Sequence, residues 1–273
     1  MRSDVAERQA AAELKCRRCL QSGGADQPTF HLGLNTFRVP LALHAVNRAK
    51  LTAAMGAARG VVLLQGGEQQ TRYDTDHEPV FRQESYFQYL FGVSEGGCYG
   101  AITLPEGRAT LFVPRLDTEA YEIFCGHYPS PDDFKAQYAV EEALYLEELQ
   151  GWVERTLRNA DAAAAAQAGG LEHSTAKLFL LHGLNSDSGN YAAPASFPGC
   201  EEGELLERRD LTTLFNLLAE ARVHKSATEV EVMRYVNWVS SMAHVEVRAV
   251  APHPAGWHAA EGGMCVRPTP GGV

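Results

Sequence analysis

Nowhere in the 273 residues is there an apolar run approaching the roughly 20 residues that a bilayer-spanning helix needs. The first twenty residues, MRSDVAERQAAAELKCRRCL, lack the apolar stretch of a secretory leader, and Asp4, Glu7 and Glu13 count against a mitochondrial presequence. Basic residues are in short supply: 24 Lys and Arg face 34 Asp and Glu, a formal net charge of −10. Phosphate binding draws on clustered cations, so neither nucleic acid nor an anionic membrane is an expected partner. Cysteine is sparse, six in all, and the one C-x-x-C pair, Cys16 and Cys19, has no second pair to complete a four-ligand zinc site. Without a leader these cysteines read as reduced thiols, which places the protein in the cytoplasm. H-E-x-x-H, a P-loop, G-x-G-x-x-G, G-x-S-x-G and any internal repeat are absent as well.

What is present is the material of a packed domain. Hydrophobic residues make up 45% of the chain and charged residues 21%, enough apolar side chain for a real core. Residues 3–21 are rich in helix formers, and QSGGADQP ends that pattern, so 1–28 reads as a flexible extension. In VPLALHAVNRAKLTAAM, Leu41, Leu43, Val46, Leu51 and Met55 recur at helical spacing, which predicts an amphipathic helix after Pro40. GVVLLQGG (60–67) and KLFLLHG (177–183) are short, glycine-bounded apolar runs that suit buried strands. YGAITL and ATLFVP flank PEGR as a hairpin. Leu149, Val153 and Leu157 mark a helix, and DAAAAAQAGG (161–170) reads as a low-complexity connector.

The longest helical pattern spans 226–250. Thr228 and Glu231 fit a capping box, and Val232, Val236, Val239, Ala243 and Val247 form a stripe that reads as core packing. Beyond it, nine of the 23 residues in 251–273 are Gly or Pro, and this segment is expected to be disordered. Strands alternating with helices indicate an α/β domain.

Few residues suggest chemistry. Ser186, Asp187 and Ser188 in GLNSDSG (183–189) are expected to cap backbone groups in a turn. Glu68, Asp74 and Asp76 in QGGEQQTRYDTD (65–76) read as a polar loop. His77, His127, His182, His224 and His244 are scattered singly, without ligand spacing. In FRQESYFQYLFGVSEGGCYG (81–100), Phe87, Leu90 and Phe91 fall on one helical side with Tyr86 and Tyr89 at its rim. The expectation is a short core helix whose Arg82 and Glu84 make caps or ion pairs.

That stretch, with ATLFVPR downstream, resembles the N-terminal domain of the Xaa-Pro dipeptidases (prolidases) and aminopeptidases P. VPLALHAVNR, VVLLQGGEQQTRYDTD, GLNSDSG and EARVHKSATEVEVMRYVNWVSSMAH are similar to the same family, in order, so the resemblance covers about residues 30–250. It implies a creatinase-like α/β domain, a mixed sheet flanked by helices, over 29–215. A linker and first helix of an incomplete pita-bread catalytic domain would follow over 216–250. It also implies a homodimer, in which residues 117–129 face a partner's active site, and two manganese ions held by two Asp, one His and two Glu of the catalytic domain.

Those ligands have no matching positions here. The last aspartate is Asp210, and Glu261 is the only acid after Glu246. No catalytic, cofactor-binding or metal-binding residue is therefore assigned, and no manganese is expected on this chain. The expected function is the N-terminal portion of a manganese-dependent dipeptidase acting on dipeptides with C-terminal proline, inactive alone as a truncated product. The alternative is a non-catalytic regulatory form that pairs with full-length prolidase. An exposed patch at Val232, Val236 and Val239 is the expected consequence if the catalytic domain is not there to cover them.

Overall fold

Val61 and Leu63 point to one side of a sheet and Val62 and Leu64 to the other, the two-residue period of a strand whose faces are both covered. The computed structural model describes residues 28–34, 36–116, 119–168 and 175–250, with 258–259 and 265–266. Strand β3 (Gly60–Gln65) pairs antiparallel with β4 (Tyr99–Leu104), which forms the expected hairpin with β5 (Ala109–Val113). Parallel neighbours extend the sheet at both ends: β6 (Glu142–Tyr145) beside β5, β7 (Lys177–Leu180) beside β3, and β10 (Arg209–Asp210) beside β7. The order is β10-β7-β3-β4-β5-β6, a mixed sheet flanked by helices as expected. Short antiparallel pairs lie outside it: β1 (Thr29–Phe30) with β2 (Val39–Pro40), β8 (Gly183–Leu184) with β9 (Tyr191–Ala192), and β11 (His258–Ala259) with β12 (Cys265–Val266).

One face of the sheet carries α1 (Ala42–Met55), α2 (Ser85–Phe91), α4 (Pro131–Tyr138) and α7 (Leu214–Val223), which contribute Leu51, Phe87, Phe134 and Leu218 to the core there. The other carries α5 (Leu149–Ala168) and α6 (Gly203–Arg208), with Leu149, Val153, Leu157 and Leu205 packed on Val61, Leu63 and Leu178. A short helix α3 (Glu119–Cys125) follows β5, and α8 (Ala227–Val250) ends the main body.

Four expectations are corrected. Residues 161–168 are not a connector but the end of α5; their alanines have the highest intrinsic helix propensity, and a helix already nucleated simply propagates through them. Asp161 also anchors this turn, accepting from the Ala176 N–H at 2.7 Å and pairing with Arg208 at 2.6 Å.

The buried face of α1 is not the Leu43–Val46 side. Val46 is 49% exposed, while His44, Asn47 and Arg48 are buried with Leu51 and Met55. Polar side chains occupy a core face here because backbone carbonyls await them, as described below.

The capping box of α8 lies two residues earlier than Thr228 and Glu231. The Ser226 hydroxyl accepts from the Glu229 N–H at 3.3 Å, and the Glu229 carboxylate accepts from the Ser226 N–H at 2.6 Å. Glu231 instead pairs with Arg234.

The valine stripe of α8 is not core. Val236, Val239 and Val247 are 57%, 43% and 63% exposed, and Val232 is half-buried. The helix sits on the body through a neighbouring face: Tyr235 stacks on Phe37 with ring centroids 5.4 Å apart, and Glu229 pairs with Lys50 at 3.6 Å.

Candidate functional site

The aromatic segment is built from its N-terminus. Glu84 is the N-cap of α2: its carboxylate accepts from the N–H groups of Tyr86 and Phe87 at 2.9 and 2.7 Å, which satisfies the first orphan donors of a helix of about two turns. Gln83 ties three segments together. Its amide oxygen accepts from the N–H groups of Gly67 and Glu84 at 2.6 and 2.9 Å, and its amide nitrogen donates to the carbonyls of Val93 and Glu95 at 3.1 and 2.9 Å. Phe87, Leu90 and Phe91 are fully buried and Tyr86 and Tyr89 half-buried, the arrangement expected from their spacing.

At the other end, the carbonyls left without helical donors are met by α1. His44 Nδ1 lies 3.1 Å and Asn47 Nδ2 3.0 Å from the Tyr89 carbonyl, and Arg48 Nη1 donates to Leu90 at 3.0 Å. Arg48 Nη2 donates to the Ala139 carbonyl at 3.1 Å, just past α4. One guanidinium thus closes the carboxyl ends of two helices, where the helix dipole favours a cation. A carbonyl cannot donate, so His44 carries its proton on Nδ1. Burial lowers its pKa, against a smaller raising effect of the bond to Tyr89. Gly92 completes the clasp. It ends α2 in the left-handed region with φ of 68°, and a Cβ there would overlap the His44 ring.

The rim of α2 meets α7. Tyr89 donates its hydroxyl to the Ala221 carbonyl at 2.9 Å, and the Arg222 guanidinium lies 4.4 Å from the centre of the Tyr86 ring. Beside this, Tyr138 donates to Glu95 at 2.6 Å, and burial, chiefly, pushes its phenol up, as it pushes the Cys98 thiol up to about 12. A thiol so held is not a nucleophile at neutral pH.

The other chemistry-bearing residues stay apart. In 183–189 it is chiefly Asn185 that caps, its side-chain oxygen accepting from the N–H groups of Asp187 and Ser188 at 2.9 and 3.3 Å, while Ser188 accepts from Asn190 at 3.3 Å. The polar loop expected over 65–76 is present from Gly66, since Gln65 ends β3, and it continues without helix or strand to Glu84; residues 67–70, 79–82 and 84 line a cavity of about 270 Å³, with Asp74 and Asp76 exposed. His182 stacks on Tyr191, His127 pairs with Glu122 at 3.4 Å, and His77, His224 and His244 are exposed. Among the described residues no three His, Cys, Asp or Glu side chains converge on one point, and no helix is long and apolar enough to cross a membrane. Cys16 and Cys19 lie outside the described residues. The buried trio His44, Asn47 and Arg48 carries no sequence signal of its role, because the carbonyls it serves lie about 40 and 90 residues away.

Residues 44–164, which contain the whole clasp and four strands of the sheet, match the family model described as aminopeptidase P, N-terminal domain. Over those residues the chain is similar to that domain. The aminopeptidase P N-terminal domain does not exhaust the likeness: the Xaa-Pro dipeptidase of Rattus norvegicus is 41% identical over 226 residues, 81% of this chain and 42% of that protein. The Xaa-Pro dipeptidase of Homo sapiens is 39% identical over 228 residues, again covering 42% of its length. Among solved structures, an aminopeptidase of Pseudomonas aeruginosa superposes with a TM-score of 0.51 at 24% identity, over 78% of this chain and 45% of that one, which shows the shared fold. The chain thus spans less than half the length of these relatives, and the resemblance read from the aromatic segment holds at the level of family.

Proposed function

We propose that this chain is the N-terminal portion of a manganese-dependent Xaa-Pro dipeptidase that hydrolyses dipeptides with C-terminal proline, and that alone it does not turn substrate over. The observation that carries this reading is identity near 40% to proteins named Xaa-Pro dipeptidase, confined to 42% of their length. Two manganese ions held by two Asp, one His and two Glu are what the resemblance implies. The described residues do not fit that set, since no three candidate ligands converge, so no step of the hydrolysis is assigned to them. Their part is architectural: the clasp orients α2, and α2 with α7 leads the chain into α8.

The second reading, a regulatory form that pairs with a full-length dipeptidase in the cytosol, is favoured by one observation. The valine stripe of α8 is exposed, as are Ile123 and Phe124 of α3 at 70% and 87%, and both surfaces suit a partner.

The test is proline release from Gly-Pro with manganese by rigorously purified chain, alone and mixed with full-length prolidase. The first reading expects no release from the chain alone. The second expects, in addition, co-elution with the full-length enzyme and a changed rate. Manganese-dependent release that stays with the purified chain through successive columns would overturn both.

A further inference from the structure

Strands β5 and β6 run parallel as neighbours, with Val113 opposite Tyr145, and both end at the same edge of the sheet. Open α/β sheets bind small molecules in the crevice outside the carboxyl ends of parallel strands. A cavity of about 370 Å³ lies at this edge. Its size falls within the range of about 300–1,000 Å³ of small-molecule sites. Tyr99, Leu146, Leu149 and Phe197 give it a mostly apolar wall with two rings. The wall is fixed: the Tyr99 hydroxyl donates to the Ser196 carbonyl at 2.6 Å, and Leu149, the first residue of α5, and Phe197 are themselves buried in the core.

Arg115 also lines the cavity. Its guanidinium lies 3.5 Å from the centre of the Tyr145 ring, a cation–π contact. Its contact with Glu147 is 3.7 Å long, with the two side chains 48% and 63% exposed. An ion pair that open contributes little and is readily exchanged for a better acceptor. A carboxylate presented squarely to a planar guanidinium gains two parallel charge-assisted hydrogen bonds.

We propose that this cavity binds a small ring-bearing carboxylate, with its ring among Tyr99, Leu146, Leu149 and Phe197 and its carboxylate on Arg115 in place of Glu147. The site lies on the α5 side of the sheet, opposite the face that holds the clasp, and does not depend on the peptidase reading.

The experiment is calorimetric and NMR titration of the full chain with 3-phenylpropanoate, and with the neutral 3-phenylpropanamide, in carboxylate-free buffer. Saturable one-to-one binding of the acid is expected, with a Kd of about 1 mM or tighter. The amide is expected to bind about tenfold more weakly, and Arg115→Gln to weaken the acid by about the same factor. Ser196→Phe, which fills the cavity from the exposed side, abolishes binding. Gln150→Trp narrows it from the α5 side should Ser196→Phe not fold. The proposal fails if the acid does not saturate at about ten times that concentration, or if the amide or Arg115→Gln chain matches the acid on the native chain. It fails equally if the folded, filled variant still binds.

Discussion

Replacing Arg48 by Met keeps an unbranched stem and removes the guanidinium with the two N–H groups that serve the clasp. Arg48 is 4% exposed and donates to Leu90 at 3.0 Å and Ala139 at 3.1 Å. In the variant, both carbonyls lose these bonds at helix carboxyl ends. A buried polar group left without its partner costs about 1–3 kcal/mol. Two such groups set a gross loss of about 2–6 kcal/mol, offset in part because the guanidinium no longer has to be desolvated. The expected net loss is about 2–4 kcal/mol. Urea unfolding followed by circular dichroism reads it: with a slope of about 2–3 kcal/mol per molar, the midpoint falls by about 1 M at unchanged slope. Val46→Ser on the same helix is the control. Its side chain is half exposed, so a loss under about 0.5 kcal/mol is expected. If Arg48→Met shifts the midpoint no more than Val46→Ser, the carbonyls are served by water and the clasp does not hold the two helices.

Gly92→Ala places a Cβ in a left-handed backbone and against His44, so a loss of more than about 1 kcal/mol is expected; a loss near zero removes the argument for glycine there. His44 has a folded pKa below its unfolded value, so the unfolded chain binds more protons and stability declines as pH falls below about 6.5. In His44→Gln that decline is shallower in urea midpoints taken between about pH 7.5 and 5.5, and an identical slope contradicts the assignment. Ser226→Ala speeds amide exchange in the first turn of α8, as expected for loss of a cap that contributes about 1 kcal/mol, whereas Thr228→Ala leaves it unchanged. Equal effects place the cap elsewhere. Val236→Lys with Val239→Lys leaves the unfolding midpoint within about 0.5 kcal/mol of the native chain while reducing binding of a hydrophobic dye; a collapse in stability means the stripe is packed after all.

Much of this protein follows from local pattern. GVVLL and LFL, in β3 and β7, are apolar without a break because both faces of their strands are covered, and that continuity alone marks them as buried. The hairpin around PEGR, the α2 face of Phe87, Leu90 and Phe91, and the four-residue recurrence of Leu149, Val153 and Leu157 are likewise set by neighbours a few residues apart. Family likeness was legible for the same reason, since it is carried by short contiguous segments of the sequence. Three features were settled only by tertiary contact. The face of α1 that turns inward carries His44, Asn47 and Arg48, because carbonyls at the ends of α2 and α4 supply partners that no local pattern records. The cap of α8 fell to Ser226 rather than Thr228, both of which satisfy the same spacing rule, where Lys50 of α1 holds Glu229. The valine stripe of α8 has helical period without burial: periodicity makes a face apolar, but only a second surface brought against it makes that face a core, and Phe37 stacks instead on Tyr235 of the neighbouring face.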